Sequence, residues 1–160
     1  MLPLYFLRHA DAEPFSPEGD AQRALTVKGI AQAKRVGEFC SRAGIAPAVI
    51  LHSPYRRTAE TAGIVGRHLG IKVTPAKFLV CGLQPMVAFD ELHARRASNG
   101  GLMLVGHEPD FSEFIGTLIG GGAVAARIVV KKASLILVEA DELRPGGGQL
   151  VFALPVKLLL

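Results

Sequence analysis

MLPLYFLRHA, residues 1–10, is the stretch from which the reading of this chain starts. An apolar run from Leu2 to Leu7 ends on Arg8 and His9, and a polar, Pro-containing loop follows. An apolar run of this length, rich in aliphatic and aromatic residues, predicts a buried strand. Arg8 and His9 then stand at its C-terminal end, where open α/β sheets place their ligands. A guanidinium beside an imidazole at that position points to anion chemistry.

Working outward, the loop from Ala10 to Ala24 is broken by Pro14, Pro17 and Gly19. Thr26 predicts the N-cap of a helix reaching about Ala43, with Ile30, Ala33, Gly37 and Cys40 as its apolar face and Gly44 as its stop. A second strand spans Ala48 to Leu51 and ends in His52 and Ser53. Pro54 opens a second helix, with Ala62, Val65 and Leu69 facing inward and Gly70 behind it. A short strand at Ile71–Thr74, an irregular stretch from Pro75 to Leu83 and a third helix from Pro85 to about Ala97 come next.

Asn99-Gly100-Gly101 marks a turn before the strand Leu102–Val105, which leads into Gly106-His107. Pro109 suits the first turn of a fourth helix, which runs to Ile119 and stops at Gly120-Gly121-Gly122. Ile128–Val130, Ser134–Glu139 and Leu150–Leu154 read as strands. The last two are joined through Arg144-Pro145-Gly146-Gly147-Gly148 as an antiparallel pair. With no repeat or linker, residues 1–160 read as one α/β domain. The expected architecture is a three-layer sandwich, with helices on both faces of a mostly parallel sheet. Right-handed crossovers put the ends of the first, second and fourth strands on one edge. Arg8-His9, His52-Ser53 and Gly106-His107 are thereby expected together.

The totals narrow the function. Apolar residues make up 49% and charged residues 20%, a globular composition. Lys and Arg exceed Asp and Glu by only four, and there is no Trp and only two Tyr. That argues against a nucleic-acid partner, which calls for a contiguous basic face with stacking aromatics. Cys40 and Cys81 form neither a metal spacing nor a redox pair, which fits a reducing, cytoplasmic setting. No run approaches the ~20 apolar residues of a membrane span, so no membrane association is expected.

Arg56 and Arg57 open the second helix, where free N–H groups and the helix dipole favour an anion. A guanidinium adds a bidentate fork for phosphate oxygens. Leu7-Arg8-His9-Ala10, the Ser-x-x-x-Arg-x-x-x-Thr-Ala pattern from Ser53 to Ala62, and Val105-Gly106-His107-Glu108-Pro109 together resemble the histidine phosphatase superfamily. The short chain, the stretch Arg23-x-Leu25-Thr26-x-x-Gly29 and the Gly106-His107-Glu108-Pro109 form resemble its small SixA-type phosphohistidine phosphatase branch.

That resemblance implies His9 as a nucleophile that is transiently phosphorylated, with Arg8 and Arg57 clamping the phosphoryl oxygens. It implies His107 as a hydrogen-bond donor from the other side and Arg23 as a further contributor from the loop. Arg56 falls on a variable position of the motif. Neither metal nor cofactor is called for, because arginines supply the positive charge. The segment after the third strand, Val80-Cys81-Gly82-Leu83-Gln84, carries no carboxylate to protonate an alkoxide. Asp90, Glu91 and Glu108 are the acids left to test for that role. The expected substrate is therefore a phosphohistidine on a protein, such as a signalling phosphotransfer domain. A small-molecule phosphatase or mutase of the superfamily is the alternative, and a non-catalytic phosphoanion-binding module is another.

Overall fold

The computed structural model describes residues 1–96, 100–121 and 127–159. Ala97 and Asn99, expected at the end of the third helix and in the turn behind it, lie outside them, as does Gly122. Six strands form one sheet in the order β3-β2-β4-β1-β5-β6. They are β1 Leu2–Arg8, β2 Val49–His52, β3 Val73–Pro75, β4 Leu102–Gly106, β5 Leu135–Ala140 and β6 Gly148–Leu154. β1 to β4 run parallel, β5 pairs antiparallel with β1, and β6 pairs antiparallel with β5.

The helices are α1 Val27–Arg42, α2 Arg56–Leu69, α3 Pro85–Ala94 and α4 Asp110–Gly120. Period-2 alternation sorts the strand side chains into two cores. Leu4 and Phe6 of β1 join Leu102 and Leu104 of β4 beneath α3 and α4, with Phe111 and Phe114 set edge-on to Phe6. Leu7, Met103 and Val105 face the opposite way, toward Ala33, Val36 and Cys40 of α1 and Ala62 and Val65 of α2. The expected sandwich of helices on both faces of a mostly parallel sheet is what forms.

Local differences have physical causes. Ile128–Val130 is not a strand: Val130 buries its side chain, but its carbonyl accepts Arg8 Nη1 at 2.9 Å instead of joining a ladder. The buried face of α1 is Gly29, Ala33, Val36, Gly37 and Cys40, while Ile30 is exposed. Gly29 packs so close to the Asp11 carbonyl that a Cβ there would lie 1.9 Å from the oxygen. The face therefore rotates toward that contact. α2 starts at Arg56 and not at Pro54, because Ser53 Oγ accepts the Tyr55 N–H at 3.3 Å and Thr58 Oγ1 caps the Ser53 and Tyr55 carbonyls. Leu69 is only half-buried, and Gly70 ends the helix in the left-handed region at φ 65°. α3 stops at Ala94.

Candidate active site

β4 lies between β1 and β2, with Arg8 in register with Gly106 and His52 with Val105. The ladder runs on past the strand ends. His9 N–H donates to the Gly106 carbonyl at 3.0 Å, and Ser53 N–H donates to the Val105 carbonyl at 3.0 Å. Three consecutive strand ends thus carry Arg8-His9, Gly106-His107 and His52-Ser53 side by side.

His9, His107 and Arg57 are buried, at 5%, 2% and 5% exposure, although all three are polar. The His9 and His107 rings lie 5.6 Å apart between centroids. Tyr55 meets the His107 ring edge-on at 5.0 Å and carries the Arg57 guanidinium over its own face at 5.0 Å. Burial, reinforced by Arg57, Arg8 and Arg23, depresses the His9 pKa to about 4, although its bond to the Ala10 carbonyl acts in the opposite sense. Burial followed by Arg57 and His9 lowers that of His107 to about 3. Both imidazoles are neutral at neutral pH.

The tautomers follow from the hydrogen bonds. His9 Nδ1–H donates to the Ala10 carbonyl at 2.8 Å, which leaves Nε2 with a free lone pair. Ser53 Oγ accepts from Tyr55 N–H and lies 2.8 Å from His107 Nε2; with the hydroxyl as donor in that second bond, Nδ1 of His107 keeps a hydrogen to donate. Among the described residues, the buried side-chain nitrogens and oxygens without a partner are Arg8 Nε, Arg57 Nε and His107 Nδ1. Native proteins leave few such atoms, and here all three belong to one cluster of cations and imidazoles. The arrangement offers a nucleophilic nitrogen surrounded by donors suited to a tetrahedral anion.

The Ser53–Ala62 motif now has a geometry. Its four-residue spacing aligns Arg57 and Thr61 on the inward face of α2. Thr61 Oγ1 accepts the Ala10 N–H at 3.1 Å, tying α2 to the residue after His9. Arg56 points outward and pairs with Glu60 at 2.7 Å in a half-exposed bridge.

The 11–24 loop folds onto the start of α2. Arg57 Nη1 donates to the Asp20 carbonyl at 2.9 Å, and Nη2 meets its carboxylate at 3.2 Å. Arg23 holds the other oxygen of that carboxylate at 2.7 Å and the Glu13 carbonyl at 2.6 Å, which places Arg23 at the site's margin. Asp11 is bound by Thr26 Oγ1 at 2.7 Å and Lys132 at 2.8 Å.

Of the remaining acids, Glu108 acts electrostatically on Arg8, while the others lie away from the cluster or have partners of their own. Glu108 accepts the Ser112 N–H at 2.7 Å, and Asp110 accepts the Gly82 N–H at 3.0 Å. Glu91 pairs with Arg95, and Asp90 is exposed on α3. His52 turns Nδ1 to the Ser53 carbonyl, His68 to the Ile64 carbonyl, and His93 donates to the Leu143 carbonyl. Cys40 is buried in the core, and Cys81 is exposed. Ser53 and Thr61 were visible only as motif letters; that one steadies His107 and the other Ala10 required coordinates.

The histidine phosphatase superfamily (branch 1) matches residues 4–80. A curated but uncharacterised protein of Picosynechococcus sp. is 32% identical over 143 residues, covering 84% of this chain and 83% of that protein. The chain belongs to the histidine phosphatase superfamily. Among solved structures, this superfamily member is similar to the protein histidine phosphatase SixA complexed with tungstate. The TM-score is 0.88 at 18% identity, covering 99% of this chain and 100% of that one. It is also similar to a mycobacterial glucosyl-3-phosphoglycerate phosphatase complexed with VO3, with TM-score 0.73, 17% identity and coverage of 95% and 98%. At those identities the likeness establishes the fold. Membership of the superfamily supports a phosphatase. Among the described residues, no helix is long and apolar enough to cross a membrane.

Proposed function

We propose that this protein removes phosphate from histidine on a phosphoprotein, by way of a covalent phosphohistidine at His9, as a SixA-type member of its superfamily. His9 Nε2 attacks phosphorus while the substrate's N–P bond breaks. Arg8, Arg57 and His107 Nδ1–H stabilise the charge spread over the phosphoryl oxygens, and Arg23 supports them from the loop. The distal ring nitrogen of a phosphohistidine takes a proton from water, so a neutral imidazole departs with the bonding pair. Water then attacks the phosphorus on His9, which releases inorganic phosphate and restores the imidazole.

The carrying observation is that the site's unpartnered buried atoms are Arg8 Nε, Arg57 Nε and His107 Nδ1, with no carboxyl among them. Asp20 and Asp11 are held below the usual carboxylate range, first by hydrogen bonds from Arg23 and Lys132 respectively, and so remain ionised. A site rich in donors and poor in acids suits a leaving group that needs no proton from the enzyme. Lacking a general acid forfeits roughly 10²–10⁴-fold on an alkoxide. We place the activity in the cytoplasm, acting on signalling phosphotransfer proteins, without metal or cofactor.

Rapid-quench labelling with a phosphohistidine peptide is expected to trap an acid-labile phosphoenzyme in the wild type and none in His9→Ala. A parallel panel should give kcat/KM for that peptide at least ~10²-fold above phosphoserine or a sugar phosphate. Comparable turnover of alkyl phosphates would point to the small-molecule alternative. Tight phosphate binding without any label would point to a binding module.

A further inference from the structure

Beside the catalytic cluster runs a groove of about 290 Å³, lined by Arg8, Lys131, Lys132, Pro155, Val156 and Lys157. Arg8 is common to the groove and the active site. The turn that forms one wall is fixed to the nucleophile's backbone, since Ala133 N–H reaches the carbonyls of Arg8 and His9 at 3.1 and 3.2 Å. Four cations line the groove, and no acidic residue does. Lys132 is neutralised by Asp11 at 2.8 Å. Lys131 and Lys157, both exposed, have no ion-pair partner among the described residues.

What sets this groove apart is its junction with the active site through Arg8. The groove of about 540 Å³ between α1 and α2 also carries cations, Lys34, Arg56 and Arg67, with Arg56 facing Glu60 at 2.7 Å, but none of Arg8, His9, Arg57 and His107 lines it. A smaller hollow of about 170 Å³ shares Lys131 and Pro155 with the cationic groove and continues it onto Val129, which is 79% exposed. Leading away from Arg8, the surface is therefore first positive and then apolar.

We infer that this groove docks the polypeptide of the phosphoprotein substrate. Carboxylate side chains flanking the phosphohistidine would lie over Lys131 and Lys157, with an apolar residue beyond them toward Val129. The inference rests on the substrate reading above and extends it from the phosphoryl group to its surroundings. Uncompensated cations at the rim of a reaction site attract complementary carboxylates and set association more than chemistry, and salt screens them.

The test compares two phosphohistidine peptides of equal length, one flanked by Asp and Glu and the other by Asn and Gln. Lys131→Glu/Lys157→Glu should raise KM for the acidic peptide roughly tenfold with kcat unchanged, and the effect should shrink in 0.5 M salt. KM for the neutral peptide and for free phosphoramidate should stay where it was. An equal change for all three substrates, or no change for any, would overturn the docking role. Anisotropy of the labelled, unphosphorylated peptides reads the groove without turnover, and wild type should prefer the acidic peptide while the double variant does not. If that preference holds but no phosphohistidine peptide is hydrolysed, the groove stands and the substrate reading falls. Hydrolysis of both peptides with no preference in binding or KM removes the groove and leaves the function.

Discussion

Ser53 contributes no charge to the site, yet its hydroxyl is the hydrogen-bond partner of His107 Nε2 and so fixes how that ring is held. Ser53→Ala removes the partner of Nε2, and the imidazole can then place its proton on either nitrogen. The expected result is a loss of roughly tenfold to a hundredfold in kcat/KM with little change in thermal midpoint, read by steady-state kinetics beside a melting curve. Arg57→Lys should cost more, about 10²–10³-fold in kcat/KM, although the charge is kept, because an ammonium cannot reproduce the planar fork. Near-normal kcat/KM in that variant would remove Arg57 from the site. That Arg8, His9 and His107 would lie together was legible because ionisable residues closing apolar runs have few structural reasons to be there, while Arg57 was singled out by its place at the opening of α2. Asp20 was not: nothing in Gly19-Asp20-Ala21 announces that a loop carboxylate will lie on Arg57.

At the scale of elements, α1 is held to the chain behind β1 by a contact only glycine allows. The Gly29 backbone approaches the Asp11 carbonyl, whose N–H is in turn taken by Gln32 Oε1 at 2.9 Å. Gly29→Ala must push backbone against backbone, so about 1–3 kcal/mol of stability should be lost, measured as a lower urea midpoint at unchanged m-value. Thr26 caps the same helix by accepting the Gly29 N–H at 3.0 Å. That cap, the glycine stops at Gly44 and Gly70 and the four helices named above were readable from local chemistry. The rotated face of α1 was not, because Ile30 and Gly29 compete for the inward position and periodicity favours the larger side chain. Ile128–Val130 misled for a related reason: three β-branched residues look like a strand whether or not their carbonyls join a ladder. Here one of them serves Arg8 instead.

For the whole molecule, the two buried imidazoles tie folding to pH. In the folded chain their pKa values are depressed to about 4 and about 3, against an ordinary 6.5 in the unfolded chain. On acidification the unfolded state takes up protons first, so stability falls as pH drops below about 6.5. It continues to fall until the folded values are reached, at roughly 1.4 kcal/mol per pH unit for each imidazole. Urea midpoints at pH 7 and pH 5 should differ markedly in the wild type and by less in His9→Gln/His107→Gln. Equal wild-type midpoints would contradict the burial argument. The parallel order of the early strands followed from alternating helices and strands. That β5 would insert on the far side of β1, making the N-terminal strand central, is set by contacts distant in sequence.

That central position has a consequence for how the protein loses activity. The amides of Arg8 and His9, at the C-terminal end of β1, are bonded across to Ser134 and Gly106, in a strand flanked on both sides by β4 and β5. Their hydrogens should exchange with solvent only when the entire chain opens, since protection tracks the depth of the cooperative unit. The share of molecules with His9 in place is then the share still folded, and heat inactivation and global melting are expected to be a single event.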